Sequence, residues 1–166
     1  MNCNISDLML AMIGFDRGDT RRIQHFIKVY ELSRTIGRLE GLDEKTQFTL
    51  ESAAIVHDIG IHRSEELYGS TAGKYQELCG PPLAKELLEG LDWPADVTDR
   101  VCFLVGHHHT YAGIDAPDWQ ILAEADFLVN DFEDALPLEA TIHTYHKIFK
   151  TESGKKICRL MFGFDD

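Results

Sequence analysis

Two histidines and two aspartates combine the residue types of a metal site with positions on the apolar faces of predicted helices. His25 lies four residues before Val29 on the apolar face of a predicted amphipathic helix. His57 and Asp126 likewise share a face with apolar residues of their own predicted helices, and Asp58 directly follows His57. We therefore expect all four polar side chains to point towards the protein interior or to border it.

A divalent cation would satisfy such a set of buried polar groups. A carboxylate that is buried without a partner costs several kcal/mol. Neutral imidazoles and carboxylates together form a mixed nitrogen and oxygen ligand set, which suits Mn, Fe, Co, Ni or Zn better than Ca, and Mg would also be accepted. The spacing alone leaves an alternative open, because periodicity does not show that the three helix faces converge. An inward-facing histidine such as His25 would also fit as a hydrogen-bonded core residue, and Asp126 as a helix cap or the partner of an arginine.

The elements that must position these residues are helices, and the chain is predicted to be all-α. Apolar spacing, Asp or Thr caps and terminal glycines indicate six to eight helices in one domain over 1–166. The predicted helices span about 20–39, 44–57, 83–89, 95–107, 118–131, 138–149 and 153–161. A looser stretch is expected over 62–73, where Gly, Ser and Thr are frequent, and Pro81-Pro82 is expected to precede a new helix.

Composition excludes several classes of partner. A formal net charge of −12 disfavours nucleic-acid polymers and anionic membranes, whereas a small phosphorylated molecule can still bind where a local cation reverses the field. No apolar run approaches the roughly 20 residues that span a bilayer, and the start of the chain lacks signal-peptide features. We therefore expect a cytoplasmic protein. Its four cysteines are far apart in the sequence, and we expect them to be free thiols. A homodimer is compatible with the sequence, which does not decide the oligomeric state.

The order H…HD…D resembles the HD-domain superfamily of metal-dependent phosphohydrolases. The resemblance covers about 19–131, the motif-bearing core, and leaves the C-terminal helices at 138–161 outside it. Five local motifs carry it, in the family's order: RIQH at 22–25, AAIVHDIG at 53–60, GPPLAKELL at 80–88, LVGHH at 104–108 and ILAEAD at 121–126. The resemblance implies an HD-type helical bundle and a hydrolase that acts on ester bonds.

The resemblance further implies that His25, His57, Asp58 and Asp126 bind a metal ion, with Asp58 as the bridge if a second ion were present. Two departures from the family pattern favour a single ion. Members with two metals usually carry another histidine just before the middle helix, where this chain has Tyr75-Gln76-Glu77. Many catalytic members carry Lys or Glu three residues after the HD aspartate, where this chain has Ile61.

Candidates for acid–base catalysis are Asp58, His107 and His108. Asp58, or alternatively Asp126, would orient or deprotonate the attacking water. An imidazole titrates near neutrality, so that either histidine could bind phosphate or protonate the leaving group. His107 is expected to point into the pocket because it shares a face with Phe103 and Leu104 on a helix that runs into the cluster. The alternative is that the histidines only cap a helix C-terminus.

Candidates for substrate binding are Arg22, His62 and Lys74. Arg22 lies one turn before His25 and could bind a phosphate or hold Asp58, although a surface ion pair is the alternative. His62 and Lys74 lie on the loop predicted after the HD pair. Glu124, two residues before Asp126, is expected on the opposite side of its helix and in solvent.

The predicted function is metal-dependent hydrolysis of a phosphate ester of a small molecule, with a nucleotide phosphomonoester as the leading substrate. One alternative is a phosphodiesterase of the same superfamily. Another is a non-catalytic module that binds metal or nucleotide, and a third is a helical scaffold with incidental polar groups in its core. Neither the substrate nor the identity of the metal follows from the sequence.

Overall fold

The structure, a computed structural model, describes residues 4–166 and contains no strand in that range. Its helices confirm the predicted all-α class. They are α1 Ile5–Phe15, α2 Thr20–Leu39, α3 Glu44–Val56, α4 Ile61–Tyr68, α5 Gly73–Gly90, α6 Ala95–Val105, α7 Pro117–Glu133, α8 Leu138–Ile148 and α9 Glu152–Phe162. Within 4–166, no helix combines the length and the apolar character needed to cross a membrane.

Helices α2, α3 and α7 form the centre of the bundle, and local signals define two of their starts. The Asp19 side chain accepts a hydrogen bond from the Arg22 backbone N–H, and that of Asp43 accepts bonds from Lys45 and Thr46. Such caps satisfy N–H groups that have no partner within the helix. Helix α2 packs against α3 and α7, and its Val29 side chain is fully buried. The three helices that carry the predicted metal ligands therefore meet around one core.

The stretch after the HD pair differs from its prediction as a loop. Residues Ile61–Tyr68 form helix α4, which ends at Gly69 with a left-handed backbone conformation. Its first residue, Ile61, and Ser64, which lies one turn later, are buried, while most of its other residues are exposed. The helix was missed because this narrow buried stripe is short and is followed by Ser, Thr and Gly residues that favour a loop.

The two prolines do not separate two elements, as predicted, but lie inside helix α5. A proline lacks the backbone N–H for the helical hydrogen bond and usually kinks or ends a helix. Buried side chains lie on both sides of the pair, with Cys79 before it and Ala84 and Leu88 after it. Packing of this face against α6 keeps the helix continuous.

Glu124 is fully buried, so the prediction that it faces solvent is wrong. Its carboxylate accepts hydrogen bonds from the backbone N–H groups of Lys150 and Thr151, at 2.7 and 2.9 Å, and from the Gln120 side chain at 2.7 Å. The side of α7 opposite Asp126 is therefore covered by the segment that joins α8 to α9. Periodicity assigned Glu124 to the opposite side correctly but could not show that the C-terminal helices pack there.

The cysteines within the described residues are free thiols, as predicted. Cys79 and Cys158 are buried and Cys102 is half-buried. Cys3 lies outside the described residues. Burial raises the pKa of the Cys158 thiol to about 12, so this thiol stays protonated and unreactive at neutral pH.

Candidate metal centre

The structure brings the four predicted ligands together at one end of the three central helices. His25 extends from α2, His57 and Asp58 lie in the turn after α3, and Asp126 extends from α7. The Nε2 atom of His25 lies 3.3 Å from Nε2 of His57, 3.1 Å from Oδ1 of Asp126 and 3.4 Å from Oδ2 of Asp58. His57 Nε2 in turn lies 3.4 Å from the same Asp58 oxygen. Ligand atoms of His25, His57 and Asp58 lie within 4.8 Å of one another, and Asp126 lies beside the two histidines, with its Oδ1 atom 3.5 Å from His57 Nε2.

The other ring nitrogen of each histidine already has an acceptor. His57 Nδ1 lies 2.8 Å from the backbone carbonyl oxygen of Ala54, one turn earlier in α3. His25 Nδ1 lies 3.0 Å from Oε2 of Glu133, at the end of α7. We assign the proton of each neutral ring to Nδ1, because both partners are acceptors. The two Nε2 lone pairs then face each other and two carboxylates, which is the orientation that metal binding requires.

The electrostatics of this cluster favour positive charge at its centre. Burial lowers the pKa of His57, but the nearby Asp58 and Asp126 carboxylates outweigh it and raise the pKa to about 9. Burial raises the pKa of Asp126, but hydrogen bonds with His25 and His57 reverse this effect and hold it well below its usual range. A proton or a metal ion would relieve the repulsion between the facing acceptors.

A second group of candidate ligands shares Asp58 with the first. Ligand atoms of Asp58, His108 and His109 lie within 4.8 Å of one another. His108 Nδ1 lies 2.8 Å from the Val105 carbonyl oxygen, so its Nε2 faces Asp58 Oδ1 at 3.3 Å. Across residues 4–166, no group makes a well-aligned hydrogen bond to this buried Nε2 atom. The single-ion prediction did not anticipate this group, and the number of ions stays a prediction.

Gln76 lies just before the middle helix of the family pattern, where HD-type proteins that bind two metals usually carry a histidine. Its amide N–H group donates to the Thr71 carbonyl oxygen at 2.7 Å, which turns its Oε1 atom to within 3.1 Å of His109 Nε2. Burial and the neighbouring His108 lower the pKa of His109 to about 4, so its ring is neutral at pH 7. Gln76 therefore orients a neutral imidazole beside Asp58.

His107 is not brought into the site. Its Nδ1 atom lies 2.7 Å from the Phe103 carbonyl oxygen, and its ring stacks on Phe103 with centroids 4.1 Å apart. The expectation failed because α6 ends at Val105, and the turn that follows no longer has helical periodicity. The turn directs His108 and His109, rather than His107, towards Asp58.

A cavity of about 480 Å³ opens beside the cluster, and His25, Asp58, His109 and Asp126 contribute to its wall. This volume is within the range of small-molecule sites. Arg22 also lines it, and its guanidinium donates to Asp19 at 2.8 Å and to Glu65 at 3.0 Å. These two carboxylates, rather than Asp58, are its partners.

The other two predicted substrate-binding residues, His62 and Lys74, do not line this cavity. The Nδ1 atom of His62 lies 3.4 Å from the Arg22 guanidinium. Lys74 is exposed, and its ammonium group lies 4.6 Å from the centre of the Tyr75 ring. Ile61, at the position where the family often has Lys or Glu, does line the cavity and gives it an apolar edge.

Sequence reasoning missed Glu133 and gave little weight to His109. Glu133 lies seven residues after Asp126 and therefore on the same face of α7, a spacing that would have identified it. No comparable signal existed for His109, because its position depends on the turn after α6.

Comparison with known proteins supports the fold. No protein-family model matches the chain, and no curated protein matches it. A crystal structure of a predicted HD superfamily hydrolase from an uncultured Thermotogales bacterium is similar, with a TM-score of 0.69 and 22% sequence identity. The match covers 96% of this chain and 85% of the other. This chain therefore shares its fold with that protein.

Proposed function

We propose that this protein is a divalent-metal-dependent hydrolase that cleaves the phosphate ester of a small molecule. The observation that carries the proposal is the meeting of His25 and His57 through their Nε2 atoms, 3.3 Å apart, with Asp58 and Asp126 beside them. Both Nδ1 atoms face acceptors, so neither neutral ring can donate to the other. The residues present fit a metal ion, because a cation satisfies all of these acceptors together.

Such an ion supplies Lewis acidity, which acidifies a bound water and stabilises charge on a phosphoryl oxygen. Hydrolysis then forms a bond from the water oxygen to phosphorus and breaks the ester bond, while one proton leaves the water and one is added to the leaving oxygen. Asp58 is our candidate to orient the water and accept its proton. His108 Nε2, 3.3 Å from Asp58 Oδ1, is placed to exchange that proton with it.

The net charge of the chain and the size of the cavity favour a small substrate over a polymer. The formal net charge of −12 repels a nucleic-acid backbone. Five acids line the cavity beside Arg21 and Arg22, so a bound metal ion would supply the positive charge that a phosphate group needs there. A volume of about 480 Å³ is sufficient for a nucleotide-sized molecule. A nucleotide phosphomonoester is therefore the leading substrate in this proposal, and Arg22 is its candidate phosphate contact.

The group formed by Asp58, His108 and His109 favours a second candidate, a phosphodiesterase. Two ions that share a carboxylate can stabilise both the attacking and the leaving oxygen. If both sites fill, His108 and His109 become ligands and the proton exchange assigned to His108 is lost. The two mechanisms therefore give different roles to the same histidine.

The proposal is tested with purified, chelator-treated protein supplied in turn with Mn²⁺, Co²⁺, Ni²⁺, Zn²⁺ or Mg²⁺. Release of inorganic phosphate is measured on a panel of nucleotide and sugar monophosphates, and cleavage of cyclic and linear diesters is followed in parallel. Asp58→Ala serves as the site variant. His143→Gln, a change at an exposed residue of α8, serves as the matched surface control.

We expect metal-dependent turnover that falls at least a thousandfold in Asp58→Ala and is unchanged in His143→Gln. Turnover that survives Asp58→Ala would contradict the proposed site. Metal binding without cleavage of any ester would instead favour the non-catalytic module. Absence of metal binding would overturn both and favour a helical scaffold.

A further inference from the structure

Outside the four candidate ligands, a chain of charged groups continues from His25 to the protein surface. Glu133 accepts at both of its carboxylate oxygens: Oε2 lies 3.0 Å from His25 Nδ1, and Oε1 lies 2.7 Å from the Lys28 ammonium group. The Glu133 side chain is 14% exposed and that of Lys28 is 36% exposed. Lys28 also lies over the Phe132 ring, 5.1 Å from its centre. The chain thus joins one turn of α2 to the end of α7.

The contact between Glu133 and His25 determines which ring nitrogen of His25 has a lone pair that can bind a metal ion. A neutral imidazole carries its proton on one of two nitrogens, and the hydrogen bond made by one selects the state of the other. A carboxylate can only accept, so Glu133 selects the form with hydrogen on Nδ1 and the lone pair on Nε2. That lone pair faces Asp126 and His57 at 3.1 and 3.3 Å.

His25 needs this support more than His57 does. The His57 ring is oriented by a backbone carbonyl of its own helix, and its side chain is fully buried. His25 has no comparable backbone contact among residues 4–166; the partners of its Nδ1 and Nε2 atoms are side chains. Its orientation therefore depends on an interaction between two helices.

We infer that Glu133 is a positioning residue for the metal centre: it orients His25 for metal binding through Nε2, and Lys28 holds Glu133 in place. This inference rests on the proposed metal site. Outer carboxylates of this kind fix the orientation of a histidine ligand and increase its basicity, and their loss typically lowers metal affinity about 10- to 100-fold. The Lys28 ammonium group balances the charge of Glu133 and holds its carboxylate from the side opposite His25.

The test uses the full chain, with Zn²⁺ affinity measured by competition with a chromophoric chelator. Glu133→Leu removes the acceptor, whereas Glu133→Gln keeps an acceptor oxygen and removes the charge. We expect Zn²⁺ affinity to fall about 10- to 100-fold in Glu133→Leu and by a smaller factor in Glu133→Gln and Lys28→Met. Glu31→Gln, at an exposed acid that pairs with Arg34 on the same helix, is the control and should leave the affinity unchanged.

A second measurement reads the His25 ring directly. Proton–nitrogen correlation NMR of the metal-free protein, at alkaline pH where the ring is neutral, should show hydrogen on Nδ1 in the wild type and Glu133→Gln, and a loss of this preference in Glu133→Leu. Far-UV circular dichroism establishes that each variant is folded. Unchanged affinity together with an unchanged ring state in folded Glu133→Leu would overturn the inference. If the wild type binds no metal, the proposed function fails while the ring state still tests the Glu133 contact.

Discussion

Gly60 packs directly against the backbone of Gly80, so that the turn carrying the HD pair touches the middle of α5. A Cβ atom on Gly60 would lie 2.7 Å from the Gly80 nitrogen and 2.7 Å from the Gln76 carbonyl oxygen. The Gly60 backbone has ordinary right-handed angles, so the close approach, rather than backbone conformation, requires glycine here. This contact holds Asp58, two residues earlier, beside the helix that contributes Gln76.

Gly60→Ala is therefore expected to destabilise the protein by about 1–3 kcal/mol, because backbone atoms cannot move away as a flexible side chain would. Urea unfolding in the presence of chelator measures this difference. Gly14→Ala, in helix α1 with no atom within 4 Å of the added Cβ, is the matched control. It should be neutral or stabilise by up to about 1 kcal/mol. Equal stabilities of the two variants would show that the Gly60 contact is not tight.

The buried carboxylate of Glu124 is expected to hold the junction between α8 and α9. Glu124→Ala leaves the N–H groups of Lys150 and Thr151 without their acceptor, and each such loss costs about 1–3 kcal/mol. We predict a loss of about 3 kcal/mol or more in urea unfolding and faster hydrogen exchange at these two amides. Glu86→Ala, at an exposed position of α5, should stay within about 0.5 kcal/mol of the wild type. Protected amides in Glu124→Ala would contradict this role.

Caps and periodicity were sufficient to predict the helices that build the site. Asp19 and Asp43 mark the starts of α2 and α3, and each hydrogen bond that these caps make is local. The course of the chain after the HD pair depends instead on tertiary packing. Helix α4 has a narrow buried stripe, and α5 continues through Pro81 and Pro82 because its flanking turns pack on α6. Local signals alone could not predict either feature.

For the candidate metal centre too, local sequence signals predicted some features, and others depend on tertiary packing. Helical periodicity identified His25 and Asp126 as inward-facing, and the structure places them 3.1 Å apart. Helical periodicity does not apply to His107, because α6 ends at Val105 and His107 lies in the turn that follows. It also could not show which ring nitrogen faces the centre, since that depends on acceptors such as Glu133 from another helix.

The histidines after α6 should differ in their effect on metal stoichiometry. With excess Mn²⁺, the leading single-ion proposal predicts one ion per chain and the two-ion candidate predicts more than one, measured by elemental analysis after gel filtration in metal-containing buffer. If the wild type binds more than one ion, His109→Ala should reduce the number to one, because Asp58 and His108 alone provide too few ligands. His107→Ala, which alters a ring stacked on Phe103, should leave it unchanged. One ion in the wild type would confirm the single-ion prediction instead.

Metal binding should stabilise the fold through His57, whose fully buried ring would connect a bound ion to the end of helix α3. A ligand that binds only the native state at a hundred times its dissociation constant adds about 2.7 kcal/mol. For a chain of this size, that corresponds to a rise in Tm of about 5–10 °C, measured by differential scanning fluorimetry with and without Mn²⁺ or Zn²⁺. His57→Gln should lose this rise, whereas His143→Gln should retain it. The comparison uses the metal-induced shift rather than absolute Tm, so lower intrinsic stability of His57→Gln does not affect it. An equal shift in both variants would place the ion elsewhere in the protein.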